Sequence, residues 1–303
     1  MIHGVINIHK EKGFTSHDVV AKLRGILGQK KIGHTGTLDP DATGVLPVCL
    51  GKATKLCDML TDQSKTYETV LLLGKVTDTQ DISGEVLETG DINGLQAEMV
   101  ERCILSFVGT YHQVPPMYSA LKVNGKKLYE LARQGIEVER KARPVEIHDI
   151  RIIEMDLPRV RMEVSCSKGT YIRTLCHDIG QKLGCGGCME ELIRTRVSRF
   201  VLEDSMTLDE VVICRDQGEL RSRIVPIDRM FSEYEAVTIA SEFAPLAYNG
   251  NAVLTRYLKE DVKVCRDKQV RLYDEAGTFI GIYTYDDDKR RFQLAKMFYE
   301  RVQ

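Results

Sequence analysis

One carboxylate in this chain sits where it could be aimed. The run Gly33-His34-Thr35-Gly36-Thr37-Leu38-Asp39-Pro40-Asp41-Ala42-Thr43-Gly44 places three glycines and a proline between two apolar segments, Ile32 and Val45-Leu46-Pro47-Val48-Cys49-Leu50. The glycines open backbone angles that other residues avoid. Pro40 locks its own φ and keeps Asp39 extended. A carboxylate on such a constrained loop can act as a nucleophile or a base, because its direction is set before the reaction begins. The residues alone equally allow a tight turn capped by Asp39 and Asp41. They also allow two carboxylates working as a pair, as in a glycosidase or base-exchange enzyme.

Positioning such a loop requires a core on both sides of it, and the pattern provides one. Residues 4–9 alternate and read as a strand. A helix then starts at Ser16, read as the N-cap, with Val19, Val20, Leu23, Ile26 and Leu27 at helical spacing and Gly28 ending it. Residues 66–75 and 160–167 read as strands, 77–84 as an aspartate-rich turn, and 95–107 and 171–183 as helices. Periodicity weakens between 226 and 235, which predicts a domain boundary there. Beyond it, short strands at 262–265, 269–273, 279–285 and 292–296 alternate with turns and suggest a small β-barrel of about seventy residues.

The chain has 303 residues, 43% hydrophobic and 28% charged, with a formal net charge of −2. These values suit a globular protein of two domains. No run of eighteen apolar residues predicts a membrane span. The first twelve residues carry His3, His9, Lys10 and Lys12 and do not read as a signal peptide, so a cytoplasmic location is expected. Nine cysteines then read as reduced thiols. Cys185-Gly186-Gly187-Cys188 has the spacing of a zinc or redox pair but lacks a second pair, so no metal is expected. Basic residues cluster in 121–144, where Lys122, Lys126, Lys127, Arg133, Arg140, Lys141 and Arg143 face only Glu130, Glu137 and Glu139, with Tyr118 and Tyr129 nearby. Such a cluster reads as a phosphate-binding face or as a solvated surface.

The loop resembles the catalytic motif of the TruB family of tRNA pseudouridine synthases, Gly-His-Thr-Gly-x-Leu-Asp-Pro-x-Ala-Thr-Gly. The similarity continues through Lys65-Thr66-Tyr67, Thr77-Asp78-Thr79-Gln80-Asp81-Ile82-Ser83-Gly84, the segment from Pro116 through Lys122 to Tyr129, and Cys166-Ser167-Lys168-Gly169-Thr170-Tyr171-Ile172-Arg173. It spans roughly residues 4–228. The resemblance implies an α+β fold: a mixed-sheet pseudouridine synthase catalytic domain over 1–228, with an RNA-binding segment about 104–148, and a small PUA-like β-barrel over 233–303.

For the activity, it implies isomerisation of uridine 55 in the T-loop of tRNA to pseudouridine. Asp39 would be the catalytic carboxylate, acting as nucleophile at C1′ or as base at C2′. Arg173 would pair with it and Asp81 would hold Arg173. Tyr67 would lie against the uracil and take the C5 proton, Tyr171 and Leu192 would wall the pocket, and His34 would fill the space left by the flipped base. The reaction is redox-neutral, so no cofactor is expected. The partner is tRNA, with no membrane and no protein partner, and a monomer is expected. Where the family has Lys-Pro-x-Gly, this chain has Lys10-Glu11-Lys12-Gly13, which predicts a looser turn and leaves the role of Lys10 open. Two other readings stand beside this one: a non-catalytic tRNA-binding or refolding protein on the same scaffold, and a guide-RNA-dependent relative acting in a protein complex.

Overall fold

The computed structural model describes residues 1–123 and 125–300. Asn124, inside the basic segment, and residues 301–303, at the end of the expected C-terminal domain, lie outside the described residues. In chain order the elements are β1 (Gly4–Lys10), α1 (Ser16–Leu27), β2 (Ile32–His34), β3 (Thr43–Leu50), α2 (Cys57–Thr61), β4 (Lys65–Leu73), β5 (Lys75–Thr77), β6 (Val86–Thr89), α3 (Ala97–Leu105) and β7 (Gly109–Gln113). The basic segment holds the short hairpin β8 (Lys122–Val123) and β9 (Lys126–Lys127), followed by α4 (Leu128–Ala132). Then come β10 (Arg143–Asp156), β11 (Arg159–Cys166), α5 (Ile172–Leu183), β12 (Gly187–Val197), β13 (Phe200–Val201), α6 (Leu208–Asp216) and β14 (Ile224–Val225). The last part comprises β15 (Glu235–Thr238), α7 (Ala244–Tyr248), β16 (Gln269–Tyr273), β17 (Phe279–Asp286) and β18 (Arg291–Met297).

Ten strands form one mixed sheet in the order β14-β1-β3-β12-β4-β11-β10-β7, with β2 on β3 and β13 on β12. All its pairings are antiparallel except β3 with β12, which run parallel through Thr43↔Ile193 and Gly44↔Arg194. That junction lies where the Asp39 loop returns to the sheet. Val19, Val20 and Leu23 of α1 and Leu208 and Val211 of α6 pack on β1 and β3. Val100 and Ile104 of α3 and Leu175, Cys176 and Ile179 of α5 pack on β4, β10 and β11. Leu38 and Ala42 join that second core, so the apolar residues flanking Asp39 anchor its loop.

Ser16 is not the cap of α1. Thr15 is: its side chain accepts from the Asp18 amide and Asp18 answers to the Thr15 amide, which closes a capping box. Ser16 turns inward instead, and its hydroxyl accepts the amide of Leu38 at 2.9 Å. The start of α1 therefore holds the residue just before Asp39.

The C-terminal strands form an open four-stranded sheet, β15-β16-β17-β18. Among the described residues it does not close into the expected barrel. Residues 262–265, read as a strand, have no strand pairing; Val262 packs into the small core while Lys263, Val264 and Cys265 are exposed. Phe279, Ile282 and Phe298 of this part share a core with Val5, Leu56 and Phe231 of the large-sheet part. No helix is long and apolar enough to cross a membrane among the described residues.

Helix α5 lies against the start of β12 with no room between them. A Cβ built on Gly180 would stand 2.1 Å from the Gly187 nitrogen. Gly180→Ala must push the helix away. It is expected to cost about 1–3 kcal/mol, read as a lower denaturant midpoint at unchanged slope.

Candidate active site

Three stretches of chain converge on Arg173, in the first turn of α5. Its Nε lies 3.1 Å from Asp39 Oδ2 and its Nη2 donates to Asp39 Oδ1 at 3.3 Å, a two-pronged contact. Nη2 also donates to the Tyr118 carbonyl at 2.8 Å. Nη1 meets the Thr79 carbonyl at 3.3 Å and Asp81 Oδ2 at 3.5 Å. Each of the three guanidinium nitrogens thus lies within 3.5 Å of an acceptor. The Arg173 side chain is 7% exposed, whereas that of Asp39 is 40% exposed. The guanidinium is sealed in and the carboxylate it orients opens to solvent.

Asp81 is fixed by its own turn. Its Oδ1 accepts from Thr79 Oγ1 at 2.8 Å and from the Ser83 amide at 3.0 Å. The preceding Gln80 takes a left-handed φ of 64°. Its side-chain oxygen accepts from Thr174 Oγ1 at 2.7 Å, which ties the turn to α5.

Lys10 is fully buried beneath the loop. Its Nζ donates to the carbonyls of Phe14 at 2.6 Å, Pro40 at 3.0 Å and Glu11 at 3.1 Å. The turn expected to be loosened by Glu11 is thereby closed, and the Gly13 amide adds a bond to the Pro40 carbonyl at 2.9 Å. Burial, partly offset by the charge of Asp39, brings the Lys10 ammonium down to about 8.

Burial raises the Asp39 carboxyl above its ordinary range, and Arg173 is the strongest influence pulling it back. Asp41, two residues on in the same loop, is exposed. Tyr67, 8% exposed, lies in the core beside Leu38 and Ala42, and burial pushes its hydroxyl up to about 12. His34 ends β2; burial lowers its pKa, and its Nδ1 accepts the Gly36 amide at 3.3 Å, so the ring is neutral at pH 7 with Nε2–H left over. Leu192 is partly buried against the same core as Tyr67.

Tyr171 is the residue before α5, and its backbone is gripped twice by Gln113 of β7. The Gln113 side chain accepts the Tyr171 amide at 2.8 Å and donates to its carbonyl at 3.0 Å. Lys10 and Arg173 thus reach the loop that holds His34 and Asp39, Asp81 reaches it through Arg173, Tyr67 and Leu192 share the core of Leu38 and Ala42, and Tyr171 stands two residues before Arg173.

Three more residues receive no role from the sequence, although Lys65 lies in the Lys65-Thr66-Tyr67 motif. Lys65, buried, donates to the carbonyls of Thr61 at 2.9 Å and Gln63 at 2.7 Å. Arg194, fully buried, donates from Nε to the Val45 carbonyl at 2.7 Å. Gln113 is the third. The first two carried a signal, because Lys65 shares a strand face with Tyr67, as Arg194 does with Leu192, by the two-residue period. Gln113 carried none.

Lys122, Lys126, Arg133, Lys141 and Arg143 of the basic segment are exposed. The Lys127 ammonium and the Arg133 guanidinium lie 5.3 Å and 5.5 Å from the Tyr129 ring centre. Cys185 and Cys188 are buried thiols. Among the described residues no three His, Cys, Asp or Glu side chains gather as a metal site.

Residues 24–172 match the family described as TruB family pseudouridylate synthase (N terminal domain), and residues 173–232 match the tRNA pseudouridylate synthase B C-terminal domain. A tRNA pseudouridine synthase B of Lachnoclostridium phytofermentans is 52% identical over 308 residues, covering 98% of this chain and 100% of that one. The protein of that name from Clostridium perfringens strain SM101 is 45% identical over 301 residues, covering 99% and 100%. Among solved structures, a Cbf5-Nop10-Gar1 complex contains a chain that superposes with a TM-score of 0.73 at 27% identity, covering 99% of this chain and 86% of that one. Motif, geometry and full-length similarity agree, and the chain belongs to the TruB family of pseudouridylate synthases.

Proposed function

We propose that this enzyme isomerises uridine 55 in the T-loop of tRNA to pseudouridine, with Asp39 as the catalytic carboxylate. The observation that carries the reading is the two-pronged Arg173–Asp39 contact, made by a sealed guanidinium to a carboxylate that still opens outward. Relatives at 42–52% identity that bear the name tRNA pseudouridine synthase B support the substrate class.

The N1–C1′ bond of uridine breaks, the uracil turns, and a C5–C1′ bond forms. The C5 proton leaves and N1 gains one, so product and substrate are isomers. Asp39 either attacks C1′ or removes the 2′ proton, and both routes need it ionised beside the sugar of an extruded base. Arg173 orients it, and Asp81 holds Arg173. Tyr67 is assigned to the uracil face and to the C5 proton, Tyr171 and Leu192 to the pocket wall, and His34 to the space the base vacates. Lys10 keeps the loop closed through the Pro40 carbonyl. Residues 1–228 would form the catalytic domain. The segment 104–148 and the domain 233–303 would contact RNA, the former through its exposed lysines and arginines. In this reading a single chain acts in the cytoplasm without a protein partner.

The test is to incubate an unmodified tRNA transcript with the protein and map pseudouridine by carbodiimide-dependent primer extension. A single stop in the T-loop is expected, and an unmodified T-loop sinks the reading. Asp39→Asn should lose on the order of 10⁴-fold in rate while tRNA affinity stays within a few-fold. Retained activity in that variant would mean that Asp39 is not the catalytic carboxylate. Asp41→Asn should keep most activity, since its side chain is exposed and takes no part in the Arg173–Asp39 contact; complete loss would favour a carboxylate pair.

The pH profile gives a separate check. A carboxylate that must be ionised loses activity as pH falls through its pKa, and that of Asp39 lies above the usual range. Arg173 is the largest lowering influence on it, so Arg173→Met should move the acid limb of kcat/KM to higher pH as well as reducing the rate. An unmoved limb would mean the guanidinium does not tune this group.

A further inference from the structure

Arg194 is the largest fully buried side chain of the protein, and among the described residues it has no ion-pair partner. A cation buried without an acid is costly, and an apolar residue of similar size packs better where packing is all that is needed. What faces this guanidinium is informative. Nε donates to the Val45 carbonyl at 2.7 Å, while Nη2 and Nη1 reach the carbonyls of Gly36 at 3.4 Å and Thr37 at 3.5 Å. These three carbonyls belong to the two roots of the loop that carries Asp39. The backbone reinforces the contact. Arg194 pairs in parallel with Gly44, whose φ is +104°, and a Cβ there would stand 2.3 Å from the Arg194 carbonyl oxygen. On its other side Arg194 pairs in register with Tyr67.

We propose that Arg194 is a positioning residue for the isomerisation: its guanidinium ties both roots of the Asp39 loop to β12 and so sets the carboxylate against Tyr67. It acts through these carbonyls and through Tyr67, whose hydroxyl its guanidinium also approaches, rather than on the substrate itself. The proposal rests on the catalytic reading of Asp39 and Tyr67 given above. A planar fork suits the task, since it spans separated acceptors in one fixed geometry, whereas a lysine ammonium is a point donor on a flexible stem.

Arg194→Lys and Arg194→Gln test it through single-turnover pseudouridine formation, tRNA binding and thermal melting on the full chain. In both variants the single-turnover rate should fall by about 100-fold, the loss expected of a reacting group displaced by an ångström. Dissociation constants for tRNA should stay within about threefold, because the RNA-facing surface is untouched. Arg194→Lys should melt closer to the wild type than Arg194→Gln yet remain as slow. Rates within about threefold of wild type would overturn the proposal. So would a parallel loss of rate, affinity and melting temperature, or a failure of both variants to fold, since either makes Arg194 a group of the core and nothing more. A wild-type protein that leaves the transcript unmodified overturns the functional reading and this proposal together. An active wild type with undiminished variants overturns this proposal alone.

Discussion

The arrangement around Asp39 depends on a guanidinium shared between two carboxylates. Arg173 lies between Asp39 and Asp81, and its remaining N–H groups meet main-chain carbonyls at Thr79 and Tyr118. Burying a cation removes several kcal/mol of hydration, which one partner does not restore. Two acids and two carbonyls do, and they must come from places that the fold brings to one point. The mixed sheet, the aspartate turn and the first turn of α5 are constrained by that requirement. The same contact pre-orients Asp39, so satisfying the buried charge and aiming the carboxylate are one act.

Cations holding main-chain carbonyls recur at this site. Lys10 gathers the carbonyls of Glu11, Phe14 and Pro40, Lys65 gathers those of Thr61 and Gln63, and Arg194 reaches those of Gly36, Thr37 and Val45. A loop rich in glycine has few side chains with which to brace itself. Its free carbonyls are handles, and long basic side chains from neighbouring strands can grasp them without filling the cleft. The cost appears in the ammonium groups: burial brings both Lys10 and Lys65 down to about 8.

Much of the site was legible because its motifs are consecutive residues with strong local constraints. The glycines and the proline announced the loop, and the helix expected over 171–183 is α5. Long-range partners were harder. Lys65 and Arg194 follow from strand alternation once their neighbours are placed. Gln113 does not, since nothing in its local sequence says that its amide will serve Tyr171 across 58 positions. Thr15 and Ser16 show why cap assignments slip by one: both hydroxyls suit the position, and only the pull of the Leu38 amide decides which turns inward. In the C-terminal part β16, β17 and β18 were readable from period two. Closure into a barrel was not, because it depends on the pairing of edge strands, which alternation does not encode.

The bond from Arg173 to the Tyr118 carbonyl ends on a main-chain atom. No exchange of the tyrosine side chain deletes that acceptor; only a new path of the backbone can. Scanning residue by residue would therefore pass over this link, although it joins the arginine to a stretch that leads directly into the basic hairpin. It would become visible to methods that report on chain path, such as amide exchange or backbone ester replacement, and would stay silent in any catalogue of side-chain substitutions.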